Sequence, residues 1–239
     1  MLAQKRVLLA LSLTAFIGWA PLAAANTLTA ESATSQCYGS TSKGRVEDAV
    51  QLPARGENFI QYSRIARVAG RTYVHSVVRD IVVASYADLA RSHPDKVFKY
   101  AETGFANGGQ FKPHKTHQNG LSIDFMTPMI DQAKQSVHLP THFANRFGYD
   151  IELSANGEYQ GLTIDYEALA AHIVALHRQA RAKGYDLWRV IFAPKLQPPL
   201  FKTQYGDYLK QHIQFSQKPS WVRHDEHYHV DFKIPCKPL

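Results

Sequence analysis

The chain has 239 residues, of which 45% are hydrophobic and 20% charged, and its formal net charge is +7. This composition excludes intrinsic disorder for most of the chain, and two cysteines are too few for a disulfide scaffold. The basic residues form no stripe with interleaved aromatics, so nucleic acid is not an expected partner. Histidine is the unusual residue, because five of the twelve fall within 114–117 and 224–229.

The N-terminal residues predict export. A basic start is followed by an apolar run over residues 7–19 and by small residues at 22–25, the pattern that a signal peptidase requires. We therefore expect a signal peptide over residues 1–25 and a single domain over residues 26–239. The apolar run is short for a membrane anchor, and no later stretch is apolar and long enough to span a bilayer.

Two segments have the periodicity and the end signals of helices. Apolar residues of 76–91 share one helical face, and Pro94 follows the end of that segment. Asp165 is a typical N-cap for a second helix that continues to about Lys183, and Gly184 is a typical stop.

The other predicted elements are mainly short strands. In chain order they are a strand over 58–68, a strand over 97–102, a loop over 103–115, a strand over 121–125, a hairpin over 149–162 that turns at Asn156-Gly157, a strand over 187–192, a helix over 200–212 and a strand over 227–233. Short strands mixed with separated helices predict an α+β fold in one domain.

The cysteines lie near the two ends of the expected mature chain, at Cys37 and Cys236. Disulfides persist in the oxidising compartments to which a signal peptide leads. We favour a bridge between them, which in the loop-entropy model restrains the unfolded chain by up to about 5 kcal/mol. Two unrelated buried thiols are the alternative.

The histidine cluster at 114–117 leads into a predicted strand. If residues 121–125 are extended, the apolar side chains enter the core and Asp124 faces the other way. His117 lies just before Gly120, which lets the chain turn tightly into the strand. A histidine and a carboxylate can therefore meet on one side of the sheet, although six residues separate them.

The second cluster lies on the last predicted strand. Alternation puts apolar residues on one face of this strand, and the opposite face carries His227, His229 and Asp231. Packing alone does not explain imidazoles on one side and apolar residues on the other. Either cluster alone can arise by chance, but the two together favour a metal site. Ligands of type His, Asp and His with an open fourth position describe a catalytic zinc site.

The motifs resemble those of the penicillin-insensitive murein endopeptidases, which belong with the zinc D-Ala-D-Ala peptidases and hedgehog-type domains. The resemblance rests on His-Lys-Thr-His-Gln-Asn-Gly-Leu at 114–121 and on His-Asp-Glu-His-Tyr-His-Val at 224–230. Tyr38-Gly39 and Leu52-Pro53 also look familial, so the resemblance covers most of residues 37–236. The six-residue gap argues against lysostaphin-type peptidases, which separate the first His and Asp by three residues.

This resemblance implies a small antiparallel sheet that carries a zinc site and is flanked by helices. One Zn²⁺ would be ligated by His117, Asp124 and His229. The implied substrate is peptidoglycan, at the amide between D-alanine and meso-diaminopimelate, and the implied location is the periplasm. The oligomeric state stays open.

The resemblance also implies roles for residues near the ligands. His227 is the favoured catalytic residue, and Glu226 is a second candidate that an ideal strand would direct away from the face of His229. His114 and His224 would support the ligands or contact substrate, and His114 is also a candidate for an extra ligand.

Some members of the family carry Asp-x-x-His in the middle hairpin as a second metal site. The corresponding region here reads Asn-Gly-Glu-Tyr at 156–159, so we expect one zinc ion. Two other functions stay open. One is a D,D-carboxypeptidase, and the other is a zinc-stabilised module that binds the cell wall without catalysis.

Overall fold

The computed structural model of the chain describes residues 34–220 and 222–239. The expected signal peptide over residues 1–25 lies outside these residues. The α+β prediction is confirmed, since short strands in small sheets alternate with separate helices. Within the two described ranges, no helix combines the length and the apolar character needed to cross a membrane.

Strands and helices are interspersed along the chain. The strands are β1 (Gln36–Ser40), β2 (Lys43–Glu47), β3 (Val50–Gln51), β4 (Phe59–Gln61), β5 (Tyr73–Val74), β6 (Phe98–Tyr100), β7 (Ser122–Met126), β8 (Met129–Ile130), β9 (Ser136–Val137), β10 (Glu158–Tyr159), β11 (Leu162–Ile164), β12 (Asp186–Ile191) and β13 (His227–Lys233). The helices are α1 (Arg64–Val68), α2 (Ser76–Ser92), α3 (Tyr166–Ala182), α4 (Gln197–Leu200) and α5 (Gly206–His212), with 3-10 segments at Phe143–Gly148 and Pro194–Leu196.

The central sheet has the strand order β12-β13-β7-β6-β4. Its neighbouring strands are antiparallel, except β6 and β4, which run parallel. The pairing of β13 with β7 sets Tyr228 opposite Phe125 and His229 opposite Asp124. Because side chains alternate along a strand, these two pairs lie on opposite faces of the sheet. One face of the two strands is therefore apolar, and the other carries polar side chains.

Helices α2 and α3 pack on the apolar face. Tyr86 of α2 and Ile173 of α3 are buried in one core together with the strand residues. The ring of Tyr86 lies 6.5 Å from that of Phe125, and His172 of α3 makes a hydrogen bond with Tyr228. Burial of this face leaves the polar face free to form a site.

Helix α3 begins and ends close to where its local signals predict. The carboxylate of Asp165 accepts a hydrogen bond from the backbone N–H of Ala168 at 3.0 Å. Gly184 follows the helix with a positive φ of 80°, a conformation that glycine adopts without steric cost.

The strand prediction over residues 58–68 is wrong in its second half. Strand β4 ends at Gln61, and α1 begins after Ser63, whose hydroxyl accepts a hydrogen bond from the backbone N–H of Ala66 at 3.1 Å. Serine is a strong N-cap, and the alanine and arginines that follow favour a helix.

The hairpin exists, but its predicted turn is wrong. Tyr159 pairs with Leu162, so the chain turns at Gln160-Gly161 and not at Asn156-Gly157. Gln160 and Gly161 have φ values of 47° and 81°, and a two-residue hairpin turn of type I′ needs positive φ at both positions.

The single helix predicted over residues 200–212 is also wrong. The chain instead forms α4, which ends at Leu200, and α5, which begins at Gly206. Pro198 and Pro199 lack a backbone N–H and suit the first turn of a helix, so the first helix starts earlier than predicted.

The predicted disulfide between Cys37 and Cys236 is present, with a sequence separation of 199 residues. It joins β1 to the segment that follows β13. The backbone N–H of Lys237 also donates to the carbonyl oxygen of Cys37 at 3.0 Å, so the bridge closes the described part of the chain end to end.

Candidate metal centre

The polar face of the sheet is organised around the buried carboxylate of Asp124 on β7. Its direct cross-strand neighbour on β13 is His229. Nδ1 of His229 lies 2.8 Å from Oδ1 of Asp124. The register of two strands thus brings together residues that are 105 positions apart in the sequence.

His117 approaches Asp124 from the loop before β7. Its backbone has a φ of 69°, a left-handed conformation that is uncommon for residues with a side chain. Gly120 has a φ of 76°, and a Cβ at this position would lie 2.8 Å from the backbone nitrogen of His75. Glycine is therefore required here, which explains its place between the histidine and the strand.

The tautomer of His117 follows from its partners. Its Nδ1 lies 3.0 Å from the carbonyl oxygen of Thr103, and because a carbonyl only accepts, Nδ1 carries the hydrogen. The lone pair is then on Nε2, which lies 3.3 Å from Oδ1 of Asp124. This Nε2 is buried and has no hydrogen-bond partner. It points into the site as an available ligand atom.

His114 completes a group that could hold a metal ion. Its Nδ1 lies 3.7 Å from Oδ2 of Asp124, and its Nε2 lies 2.5 Å from Oε2 of Glu102. His114, His117 and Asp124 each offer one ligand atom, and these atoms all lie within 4.8 Å of one another. Imidazole nitrogens and a carboxylate oxygen are donors that Zn²⁺ binds in proteins.

The imidazole of His229 lies beside this group of three, against Asp124. Its Nε2 lies 2.8 Å from Oδ1 of Asp231, so Nδ1 is the nitrogen that faces Asp124. Asp231 is itself held by Oγ of Ser122 at 2.5 Å and by Nε of Arg189 at 2.7 Å. A histidine whose second nitrogen is bound by a carboxylate is the common arrangement of metal ligands.

His227 and Glu226 form a hydrogen-bonded pair beside the group. Nδ1 of His227 lies 2.6 Å from Oε1 of Glu226, and its Nε2 lies 3.9 Å from Oδ2 of Asp124. Strand β13 begins at His227, so Glu226 precedes the strand and does not follow its alternation of side chains between the two faces. The carboxylate of Glu226 can therefore reach His227 on the polar face.

His224 lies next to the imidazoles of β13. Its Nδ1 lies 2.8 Å from the carbonyl oxygen of Val222. The centre of its ring is 4.7 Å from that of His227 and 6.3 Å from that of His229. The structure therefore brings together all seven residues that the sequence analysis selected.

Burial and neighbouring charges shift the pKa values of this cluster. Burial alone would raise the pKa of Asp124, but the imidazoles of His117 and His227 outweigh it and hold the pKa well below its usual range. Burial raises the pKa of Glu226 to about 6 and lowers the pKa of His224 to about 3. Asp124 is thus an anion in a buried site, and this favours the binding of a cation.

Sequence reasoning missed Glu102 and Tyr149. The hydroxyl of Tyr149 donates to Oδ2 of Asp124 at 3.0 Å, and Glu102 binds His114 as described above. Glu102 follows strand β6, and Tyr149 follows the 3-10 segment Phe143–Gly148. Neither lies in a motif, because their role arises from strand pairing and loop packing that local sequence does not encode.

The fold and the site define a class of protein, in which an α+β sheet carries a buried group of histidines and an aspartate that could hold a metal ion. The chain belongs to the penicillin-insensitive murein endopeptidase family, whose model matches residues 37–238. None of the curated proteins compared with the chain matches it. The family resemblance of the motifs is confirmed, and the chain is a member of a peptidase family.

Proposed function

We propose that the chain is a zinc-dependent D,D-endopeptidase that hydrolyses D-alanyl-meso-diaminopimelyl cross-links of peptidoglycan in the periplasm. The observation that carries this proposal is the buried, unpartnered Nε2 of His117 beside Asp124. A buried polar atom without a partner is costly, and a bound cation would satisfy it. Membership of a murein endopeptidase family supports peptidoglycan as the substrate.

The proposed ligands of the single zinc ion are His117, Asp124 and His229. Catalytic zinc sites have three protein ligands and an open position. Nδ1 of His117 is held by the carbonyl oxygen of Thr103, and Nε2 of His229 is held by Asp231. The other nitrogen of each ring, which we call the inner nitrogen because it faces Asp124, is the proposed ligand atom. His114 faces the other oxygen of Asp124, which supports a role as an extra ligand or as a substrate contact.

The bound zinc ion would supply Lewis acidity, which lowers the pKa of a water molecule and polarises the scissile carbonyl group. His227 is the proposed proton carrier, because Nδ1 is held by Glu226 and Nε2 faces the cluster. Burial alone would lower the pKa of His227, but the carboxylates of Glu226 and Asp124 outweigh it and raise the pKa. At Nε2 this ring would take a proton from the nucleophile and return it to the leaving amine.

Glu226 is the alternative base. Its Oε1 faces His227 at 2.6 Å, and its pKa is raised by burial to about 6. This contact supports a positioning role, in which Glu226 fixes the orientation of the His227 ring. The ring of His224 lies 4.7 Å from that of His227, and this supports a role as a substrate contact.

The surface around the site supports an endopeptidase over a carboxypeptidase. A cavity of about 650 Å³ lies on the side of His114 that carries Tyr149. Another cavity, of about 190 Å³, lies on the side that carries Arg189 and His229. Because His114 lines both, a peptide that continues beyond the scissile bond in both directions has space on each side.

The proposal is tested by digestion of purified muropeptides with the zinc-loaded protein, with and without a chelator. We expect dimers to be converted into monomers, and the chelator to stop the reaction until zinc is restored. Survival of the dimers with zinc-loaded protein would contradict the proposal. Free D-alanine from monomeric pentapeptides would indicate a carboxypeptidase, and binding to sacculi without cleavage would indicate a wall-binding module.

The assignment of three zinc ligands leads to a separate prediction. Substitution of His117, Asp124 or His229 by alanine should remove zinc and activity together, since each change deletes one of three donors. Zinc content of the purified variants and cleavage of dimers are the two measurements. His114→Ala decides the role of the fourth group, because loss of zinc would make it a ligand and loss of rate alone a substrate contact.

The role of His227 makes a different prediction. The variant His227→Ala should bind zinc like the wild-type protein but cleave dimers at least about 100-fold more slowly, as expected for loss of a general acid–base group. The pH profile of the residual rate should lose the limb that belongs to this imidazole. A fully active variant would rule out the catalytic role.

A further inference from the structure

The cavity of about 650 Å³ on the Tyr149 side of His114, which gives a peptide space beyond the scissile bond, adjoins the proposed metal site. We call it the arginine cleft, and among the residues that line it are His114, Tyr149, Phe143, Phe147, Arg71 and Arg146. Its walls are thus largely aromatic, and its polar lining includes two guanidinium groups. His114 is shared with the proposed metal site, so an occupant of the cleft would lie directly beside the reacting bond.

One of the two guanidinium groups is already neutralised. Arg71 contacts both oxygens of Glu102, the carboxylate that also lines the cleft. The hydroxyl of Tyr62 donates to Oε1 of Glu102 at 2.9 Å, and His114 lies 2.5 Å from Oε2. Both oxygens are therefore satisfied, and the charges of Arg71 and Glu102 offset each other.

The second guanidinium group, on Arg146, has only a weak ion pair among the residues that the structure describes. Its side chain is 69% exposed and lies 3.6 Å from Oδ1 of Asp150, whose side chain is 49% exposed. Exposed pairs of this kind contribute little to stability. Arg146 can therefore exchange this partner for the carboxylate of a ligand at small cost.

The backbone that presents Arg146 to the cleft is strained. Arg146 and Phe147 have φ values of 47° and 58°, and two successive residues with side chains rarely adopt this conformation. The surrounding structure must therefore stabilise it, as at many ligand-binding sites.

The buried side chain of Asn145 provides this stabilisation. Its Oδ1 accepts hydrogen bonds from the backbone N–H groups of His142 at 3.0 Å and Gly148 at 2.9 Å, and its Nδ2 donates to the carbonyl oxygen of Pro140 at 2.7 Å. These hydrogen bonds hold the loop in one conformation, which places the guanidinium group of Arg146 and the ring of Phe147 in the lining of the cleft.

We propose that the arginine cleft binds a carboxylate of the peptide arm on the leaving side of the scissile amide, and that Arg146 determines this specificity. The inference rests on the proposed function. In a cross-link to diaminopimelate, the carbon that bears the amide nitrogen also bears a carboxyl group, so the carboxyl carbon lies two bonds from the nitrogen of the leaving amine. A guanidinium group pairs with a carboxylate through two hydrogen bonds, and aromatic walls bury the methylene chain beside it.

The test uses two dimeric muropeptides that differ only in this carboxyl group, which is free in one and amidated in the other. The variant Arg146→Gln removes the charge, and Arg91→Gln is the matched control, because Arg91 is 71% exposed and pairs with Asp88 on α2. The measurements are kcat/KM for both substrates and equilibrium binding of both to the metal-free protein.

We expect the wild-type protein and Arg91→Gln to prefer the free acid by about 10- to 100-fold, the range of a hydrogen bond to a charged group. Arg146→Gln should lose this preference through slower cleavage of the acid, with the amide unaffected. An unchanged preference in Arg146→Gln would overturn the inference.

The binding arm separates this inference from the proposed function. If neither dimer is cleaved, the proposed function fails, but a preference for binding the acid that disappears in Arg146→Gln still supports the cleft. If the wild-type protein binds acid and amide equally well, the cleft does not recognise the carboxylate, whatever the outcome of the cleavage assay.

Discussion

Each imidazole that faces Asp124 has its outer nitrogen held by another group. The pairs are His114 with Glu102, His117 with the Thr103 carbonyl, His227 with Glu226 and His229 with Asp231. Three of these partners are carboxylates, and each of these contacts fixes the orientation of the ring. The site therefore consists of imidazole rings whose orientations are fixed by their partners and which all face the buried carboxylate of Asp124.

Asp231 offers a test of this design. The variant Asp231→Asn keeps the shape of the side chain but removes the charge that holds Nε2 of His229. We expect zinc affinity to fall by about 10- to 100-fold, measured by competition with a chromophoric chelator. Asp207→Asn on α5, where the side chain is exposed, should leave the affinity unchanged. Equal zinc affinity of Asp231→Asn and the wild-type protein would contradict a role for this carboxylate.

At the scale of elements, α3 covers the sheet from the face opposite the site. His172 of this helix is fully buried among the rings of Tyr86, Phe98 and Phe125, and burial lowers its pKa to about 3. In the unfolded chain the pKa of a histidine is about 6.5. Because the folded state resists protonation, stability is full above pH 6.5 and falls as the pH drops from 6.5 towards 3.

This pH dependence gives a prediction for α3. Between pH 6.5 and pH 4.5 the His172 ring should cost the fold roughly 1 kcal/mol for each pH unit. The variant His172→Leu should show a flatter dependence of unfolding free energy on pH, measured by urea titration of the metal-free protein. An identical slope in His172→Leu and the wild-type protein would show that this ring is not the titrating group.

The elements that sequence predicts well are those whose signals are local. Helix α3 has its N-cap at Asp165 and its stop at Gly184, and β13 alternates over its whole length. The hairpin turn was misplaced because Asn156-Gly157 is the stronger turn signal in sequence, whereas pairing of β11 with β8 selects the register that turns at Gln160-Gly161.

At the scale of the whole molecule, the Cys37–Cys236 bridge closes a loop of almost the full described length. In the loop-entropy model a loop of this size contributes roughly 5 kcal/mol by restricting the unfolded chain. We expect a reductant to lower the denaturant midpoint of the wild-type protein. The double variant with serine at both positions should be less stable and insensitive to the reductant. A midpoint that does not respond to reduction in the wild-type protein would contradict this prediction.

Sequence alone determined the family and identified the two histidine clusters, because these depend on residue identity and short spacings. It favoured the disulfide without excluding two separate thiols. Alternation along β7 and β13 also placed Asp124, His229 and Asp231 on polar faces. Tertiary structure decided which groups hold those side chains and what lies beside them. Glu102, Tyr149 and the loop of Arg146 reach the site through strand register and loop packing, which depend on contacts between distant parts of the chain and leave no local pattern in the sequence.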